Sequence, residues 1–285
     1  MSQLSSSTYL VTGATDGIGK ATALALAKMD ATVILHGRSP DKLAAAVADI
    51  KAVSGSHKLH TVLADFASLE QVKGLADEVK ERFPALNVLI NNAGHLTDHR
   101  QLSADGYELT FAVNYLAPFL LTLQLLETLK QSAPARIVNV ASTALGGGLI
   151  DFDNLQLEHR FSGWQAYANS KLANALFSFV LAERLAGTGV TCNALCPGLI
   201  DTNFFHTNSV FPPSRYKDMQ PGMRSPEEGA LVPLYLATDP AAADITGEFF
   251  IREGRDERRT LPLDIDPVMA QRLWASSEQL SDVSL

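Results

Sequence analysis

A chain of 285 residues with 46% hydrophobic and 19% charged side chains can bury a large core, which excludes a disordered protein and leaves little room for a second domain. Its formal net charge of -8 argues against a nucleic-acid partner, because phosphate neutralisation needs clustered Lys and Arg. The polar run from Met1 to Thr8 lacks a basic segment followed by an apolar one, so it does not read as a signal peptide and a cytoplasmic location is expected. The two cysteines, Cys192 and Cys196, fall on one predicted strand and would lie roughly 13 Å apart, too far for a disulfide. Leu109 to Leu126 carries no charge and approaches the length of a membrane span. It also contains Thr110, Asn114, Pro118, Thr122 and Gln124, so it reads as a helix buried in an α/β domain, and no membrane anchor is expected.

Tyr9–Thr12 reads as a short apolar strand, followed by a glycine-rich turn from Gly13 to Gly19 and a helix from Lys20 to Met29. Thr32–Leu35 is a second strand, and Pro40 to Val53 a helix with Pro in its first turn. His60–Leu63 is a third strand, and Ser68–Arg82 a helix capped by Ser68. The alternation continues with a strand at Asn87–Ile90, a helix over about 106–130, a strand at Arg136–Val140 and a long helix at Gln165–Ala186. A strand at Val190–Leu195, a helix at Pro226–Ala237 and a strand at Glu248–Ile251 complete the core, which is read as about 9–251 of one domain spanning 1–285. Strands separated by helices imply right-handed crossovers and a parallel sheet covered on both faces. Thr202 to Arg224, with Phe204, Phe205, Phe211 and three prolines, reads as a loop with short helical pieces. The extension over 252–285 is charged, then amphipathic around Val268–Trp274, and is expected to pack on the rim or on another subunit.

The turn Thr12-Gly13-Ala14-Thr15-Asp16-Gly17-Ile18-Gly19 follows a strand and opens a helix, which aims main-chain N–H groups and a helix N-terminus at an anion. Gly13 permits the tight turn, Gly17 a close approach of pyrophosphate, and Gly19 close packing of helix on sheet. Thr15, Asp16 and Ile18 lie in the same turn. By itself the motif could be a structural turn. The second strand ends His36-Gly37-Arg38-Ser39, without the acidic residue that would accept from ribose hydroxyls. Arg38 offers a forked cation for a 2′-phosphate and Ser39 a hydroxyl donor, which points to NADP(H) rather than NAD. The alternative for Arg38 is a solvent-exposed cation at a helix start.

Tyr167-Ala168-Asn169-Ser170-Lys171 lies on a predicted helix, so Tyr167 and Lys171 share a face. A phenol with a pKa near ~10 suits acid–base work at neutral pH only if a neighbour favours the phenolate, as an ammonium does. Taken in order, the glycine turn, Asn91-Asn92-Ala93-Gly94, Ser142, Tyr167 with Lys171, and Pro197-Gly198 all fall at carboxyl ends of strands or in the helices that follow. Ligands of open parallel sheets bind at that edge.

With these motifs the chain resembles the short-chain dehydrogenase/reductase family over about 9–251. The resemblance implies a Rossmann-like α/β/α doubly wound fold with a parallel sheet of about seven strands. It makes Tyr167 the acid/base and gives Lys171 the tasks of lowering its pKa and holding the nicotinamide ribose. Ser142 would hydrogen-bond the substrate oxygen, and Asn114 would anchor a water that relays protons through Lys171. For the cofactor, Asp65 would bond the adenine amino group beside Phe66, and Asn91, Ala93 and Gly94 would line the adenine-ribose side. Pro197, Gly198, Ile200 and Thr202 would hold the nicotinamide. Read from the residues alone, Asp65 serves as well as a helix cap, and Asn91 to Gly94 as an ordinary turn.

The stretch from Ile150 to Thr202 is similar to the retinol dehydrogenase-like branch, through Asp153-Asn154-Leu155, Ala166 to Asn174 and Gly187 to Thr191. Two positions depart from the branch: Cys196 stands where a His commonly precedes Pro-Gly, and Ala141 where a Ser commonly precedes the catalytic one. Phe204, Phe205, Val210, Phe211 and Tyr216 suit an apolar or aromatic carbonyl or alcohol, or else pin the loop to the core. Gly146, Gly147 and Gly148 form either a flexible wall or a plain loop. His95 and His99 have a spacing that could suit a metal, but the chemistry needs none and no metal is expected. Leu172, Leu176, Phe179 and Val180 are either core or a subunit contact. The family often pairs this helix between subunits, which leaves room for a homo-oligomer. An inactive dinucleotide-sensing regulator of the same fold is the alternative function. The intact set Asn114, Ser142, Tyr167 and Lys171 speaks against it.

Overall fold

The structure, a computed structural model, describes residues 7–206, 210–253 and 257–285. Most of the segment read for a signal peptide, residues 1–6, and parts of the 202–224 loop and of the charged tail lie outside the described residues. Seven strands run parallel: β1 (Thr8–Val11), β2 (Thr32–Gly37), β3 (Leu59–Leu63), β4 (Val88–Asn91), β5 (Ala135–Val140), β6 (Val190–Cys196) and β7 (Phe249–Glu253). They lie in the order β3-β2-β1-β4-β5-β6-β7, so chain direction across the sheet reverses between β1 and β4. An eighth strand, β8 (Glu257–Thr260), pairs antiparallel with β7 at the edge. The sequence reading did not include it, since Glu-Arg-Arg-Thr carries no apolar alternation.

The strands are apolar on both sides because helices cover both faces. One layer holds α1 (Gly17–Lys28) and α2 (Pro40–Ser54), whose Ala23, Leu26, Leu43 and Ile50 bury against β1, β2 and β4. The other holds α3 (Leu69–Arg82) and a 23-residue rod, Leu109–Gln131, built from α4 (Leu109–Phe111), a π-turn at Ala112–Leu116 and α5 (Ala117–Gln131). The rod is long and apolar enough to cross a membrane, but 83% of its most apolar window is buried inside the fold. It starts at Leu109 rather than at 106 because the buried Glu108 carboxylate accepts from the Thr110 and Phe111 N–H groups. The long helix α6 (Gly163–Arg184) is capped by Ser162 and packs beside the rod.

After β6 come the short helices α7 (Asn203–His206) and α8 (Pro213–Met219), then α9 (Pro226–Gly229), α10 (Leu231–Thr238) and the tail helix α11 (Pro267–Ser281). The expected Pro226–Ala237 helix is thus divided at Ala230. The tail packs on its own chain. Trp274 is buried against Phe119 and Phe177, with ring centroids at 5.1 and 5.8 Å. The Tyr115 hydroxyl lies 2.7 Å from the Ser277 hydroxyl, and the Tyr107 hydroxyl donates to the Leu280 carbonyl. Leu176 and Val180 join the core, and Leu172 and Phe179 pack against it. Cys192 and Cys196 are free and buried.

Candidate active site

The β1–α1 turn is held on a shelf of neighbouring strand ends. Gly13 sits at φ +64°, and a Cβ there would come within 2.8 Å of the Ala93 Cα. A Cβ on Gly19 would overlap the Gly13 carbonyl oxygen, so α1 closes onto the turn only with glycine at this position. Thr12 Oγ accepts from the N–H groups of Asn92 and Ala93, while Asn92 Nδ2 donates to the Thr12 and Gly13 carbonyls. From the other side, His36 Nδ1 accepts from Gly13 N–H, and Nε2 of the same ring lies 3.1 Å from the Ala64 carbonyl. Burial pulls the His36 pKa down to about 4, so the ring is neutral, with its proton on Nε2 toward Ala64 and Nδ1 as the acceptor.

The residues read for the nucleotide divide into two groups. Thr15 rests its methyl group against Gly37, and Gly17 meets the Thr202 methyl, which brings the turn and the start of the 202–224 segment together. Arg38 is exposed, and its cation acts on His95, whose pKa is lowered first by burial and then by Arg38, with Asp65 opposing. Arg38, Asp65 and His95 therefore lie near one another, and His95 Nε2 is a buried atom with no hydrogen-bond partner. Pro197 and Ile200 are buried, and Gly198 is exposed at φ +97° at the sheet edge.

Several side chains differ from their expected roles. Asn91 turns into the core, where Nδ2 donates to Thr122 Oγ and to Asn139 Oδ1, because β4 is a central strand and its last side chain faces the α5 layer. Phe66 stacks inward on His36 with centroids 4.3 Å apart. Ser39 Oγ also caps α2 by accepting from Lys42 N–H, which leaves its hydroxyl proton for the expected donor role. Asp65 is not the cap of α3, which is Ser68; its Oδ1 accepts from Ala67 N–H instead. Asp16 accepts from Asn203 Nδ2 and so ties the turn to α7. Gly148 lies close under α6, where a Cβ would reach 2.7 Å from the Ala168 carbonyl oxygen, so this glycine serves packing and not a flexible wall.

Around Tyr167 the four reactive candidates come together. Ser142 lies close enough to Tyr167 for its side chain to oppose the effect of burial on the phenol. Lys171 Nζ is buried, donates to the Val140 carbonyl at 2.9 Å and lies 5.5 Å from the centre of the Tyr167 ring. A Cβ on Gly94 would stand 3.9 Å from Asn114 Oδ1 and 4.0 Å from Lys171 Nζ, so these two groups flank one point. Asn114 sits in the π-turn, with Oδ1 accepting from His95 N–H and Nδ2 donating to the His95 carbonyl and Ser170 Oγ. Burial raises the Tyr167 pKa well above the ordinary phenol value, which corrects the expectation of a lowered one. The cause is burial of the hydroxyl, which outweighs the opposing influence of Ser142; Phe204 and Trp164 stand against the same ring at 5.3 and 5.8 Å. Burial also lowers Lys171 to about 8.

Phe204, Phe205 and Phe211 form a ring cluster with Trp164, and Arg215 lies over Trp164 and Phe211. Asp201 accepts from His206 and from the Tyr216 hydroxyl beneath the same segment. Among the described residues no three His, Cys, Asp or Glu side chains group as a metal site, and the His99 ring pairs with Asp98. The sequence reading missed Thr12, Asn92 and His36, which hold the turn, and Trp164, which faces Tyr167. Asn92 and Thr12 lay inside quoted motifs. His36 lay in the quoted end of the second strand, and Trp164 had no signal beyond position.

The glycine turn, the Ser142–Tyr167–Lys171 group and the reversal of chain direction between β1 and β4 define a dinucleotide-dependent oxidoreductase fold. A family model described as short chain dehydrogenase matches residues 7–210, and the chain belongs to the short-chain dehydrogenase/reductase family. Within that family it is retinol dehydrogenase-like. It is 39% identical to human retinol dehydrogenase 13 over 280 residues, covering 96% of this chain and 84% of the relative. It is 37% identical to human retinol dehydrogenase 14, covering 95% and 85%. Among solved structures, an uncharacterised protein from Mycobacterium paratuberculosis superposes with a TM-score of 0.76 at 30% identity, covering 98% of this chain and 94% of that one. An actinorhodin polyketide ketoreductase with NADPH superposes at 0.69 and 27% identity, covering 88% and 97%.

Proposed function

We propose that this chain is an NADP(H)-dependent oxidoreductase that reduces an apolar or aromatic ketone or aldehyde, or oxidises the corresponding alcohol. The observation that carries the reading is the convergence of Ser142, Tyr167 and Lys171 beneath an aromatic wall, beside a glycine turn flanked by exposed Arg38. The residues suit the cofactor: the turn with the α1 N-terminus for pyrophosphate, Arg38 with Ser39 for a 2′-phosphate, and the orphaned His95 Nε2 beside them for a further polar contact. When bound, NADPH supplies the hydride.

The protein's own groups then handle the oxygen and its proton. Ser142 and Tyr167 orient the carbonyl oxygen by hydrogen bonds. Tyr167, neutral through the physiological range because burial raises its pKa, gives the oxygen its proton in the reductive direction. Lys171, cationic below a pH of about 8, stabilises the phenolate left behind. Asn114, on the Lys171 side of the site, would anchor a water that returns the proton through Lys171. The rings of Phe204, Phe211 and Trp164 exclude water and favour an apolar substrate. The names of the relatives, retinol dehydrogenases, support an apolar alcohol or aldehyde.

Fluorescence titration with NADPH and NADH tests the reading. Tight NADPH and weak NADH binding are expected, and Arg38→Ala should weaken NADPH selectively. Equal loss for both nucleotides would remove Arg38 as the phosphate ligand. Nucleotide binding without turnover of any carbonyl or alcohol would favour a dinucleotide-sensing regulator instead.

A further inference from the structure

A polar stripe runs along the buried face of α6. Tyr167, Ser170, Lys171, Asn174 and Ser178 recur at three- and four-residue spacing, and the last four are at most 4% exposed. A core helix ordinarily buries apolar side chains there, so each of these groups has to find a partner. Ser170 Oγ donates to the Tyr167 carbonyl and accepts from Asn114 Nδ2. Ser178 Oγ donates to the Asn174 carbonyl and accepts from Asn139 Nδ2. Asn174 reaches across to another element, where its Nδ2 donates to the main-chain carbonyl of Asn114 at 2.9 Å.

That carbonyl has a defect built into the sequence. In an α-helix the oxygen of residue 114 would accept from the N–H of residue 118, and residue 118 is proline, which has none. The π-turn at Ala112–Leu116 lies at the same place, with Ala117 N–H donating to the Ala112 carbonyl. Asn114 is buried, so water from the surface does not satisfy its oxygen, and an unpaired buried carbonyl is costly. Asn174 supplies the missing donor. The same Asn114 presents its side chain to the His95 main chain and to Ser170, one residue before Lys171.

We propose that Asn174 is a positioning residue for the reaction. It anchors the π-turn through the carbonyl that Pro118 leaves free, and so aims Asn114 at the Lys171 side of the site. The proposal rests on the catalytic reading given above, in which Asn114 belongs to the proton route. Asn174 touches none of the groups read for the pyrophosphate or the 2′-phosphate, so its loss should act on turnover far more than on nucleotide affinity.

Asn174→Leu removes the donor while keeping the number of side-chain heavy atoms and the branch at Cγ. It should lower kcat about tenfold while leaving the Kd for NADPH within about twofold. In the nucleotide-free protein, amide hydrogen exchange over 112–117 and at His95 should accelerate. Ser178→Ala, which loses a buried bond one turn further along and touches nothing on Asn114, should lower the melting temperature comparably and keep kcat. If Asn174→Leu does not fold, Asn174→Ser, whose hydroxyl is too short to reach the Asn114 carbonyl, should show the same split. Unchanged kcat in the Asn174 variants, or an equal fall in Ser178→Ala, overturns the inference. Absence of turnover in the unaltered protein overturns the catalytic reading and the inference with it, whereas normal turnover with insensitive Asn174 variants overturns the inference alone.

Discussion

The wall under the glycine turn is held by directional bonds from Asn92, Thr12 and His36, whereas the wall over Tyr167 is held by ring contacts at 4.8 to 6.3 Å among Trp164, Phe204, Phe205 and Phe211. Hydrogen bonds fix position and angle together, while ring packing fixes area and tolerates sliding. A phosphate-bearing ligand of constant shape suits the first construction, and substrates of varied shape suit the second. The reactive pair stands between them: Tyr167 takes its enclosure from the ring wall, and Lys171 takes its anchor from the end of β5.

Four measurements would break or sharpen that contrast. The largest effect is expected from Tyr167→Phe, which leaves both walls in place and removes only the phenol hydroxyl. Turnover should fall by about a thousandfold or more with NADPH affinity retained, and residual turnover near the original would break the assignment. Next is the acid behaviour of the directional wall. His36 is neutral in the folded state down to a pH of about 4, against 6.5 when unfolded, so the unfolded state binds the extra proton between those values. Stability should therefore fall as pH drops from 6.5 to about 4, by up to ~3 kcal/mol, and level off below. Urea titrations of His36→Asn should lack this part of the slope; an identical slope would remove His36 as its source.

Gly13→Ala forces a side chain into a positive φ and against Ala93, and should cost about 2 kcal/mol of stability along with nucleotide affinity, read from the urea midpoint and the NADPH titration. The smallest effect belongs to the ring wall. Phe204→Ala should change stability by less than about 1 kcal/mol yet raise KM several-fold for bulky apolar carbonyls over small ones. A uniform KM across a size series would show that Phe204 pins the segment and does not choose substrates.

The same contrast explains which parts were legible in the sequence. The sheet could be read because strands buried on both faces are near-continuous apolar runs, and the glycine turn because main-chain geometry dictates its residues. Ser142, Tyr167 and Lys171 were found by their order along the chain among the other motifs, and Asn114 through the family resemblance. The inward turn of Asn91 and Phe66 was not legible, since the facing of a residue at or just past a strand end depends on what packs over it. The neutral pin at His36 needed the burial that only β3 and the turn create. The eighth strand carries a charged sequence whose pairing comes from its neighbour, not from its own pattern.

The position of Trp274 has a consequence for how the molecule is made. This side chain and Ser277 close over Phe119, Phe177 and Tyr115, yet they are translated after all eight strands. A nascent chain that has finished the sheet still shows an open aromatic seam and an unpaired hydroxyl on Tyr115 of the π-turn. The seam closes only when residues 267–281 leave the ribosome. Until then it is the surface that a chaperone selecting exposed rings would meet, and a stop codon ahead of Trp274 would strike the core and not the periphery.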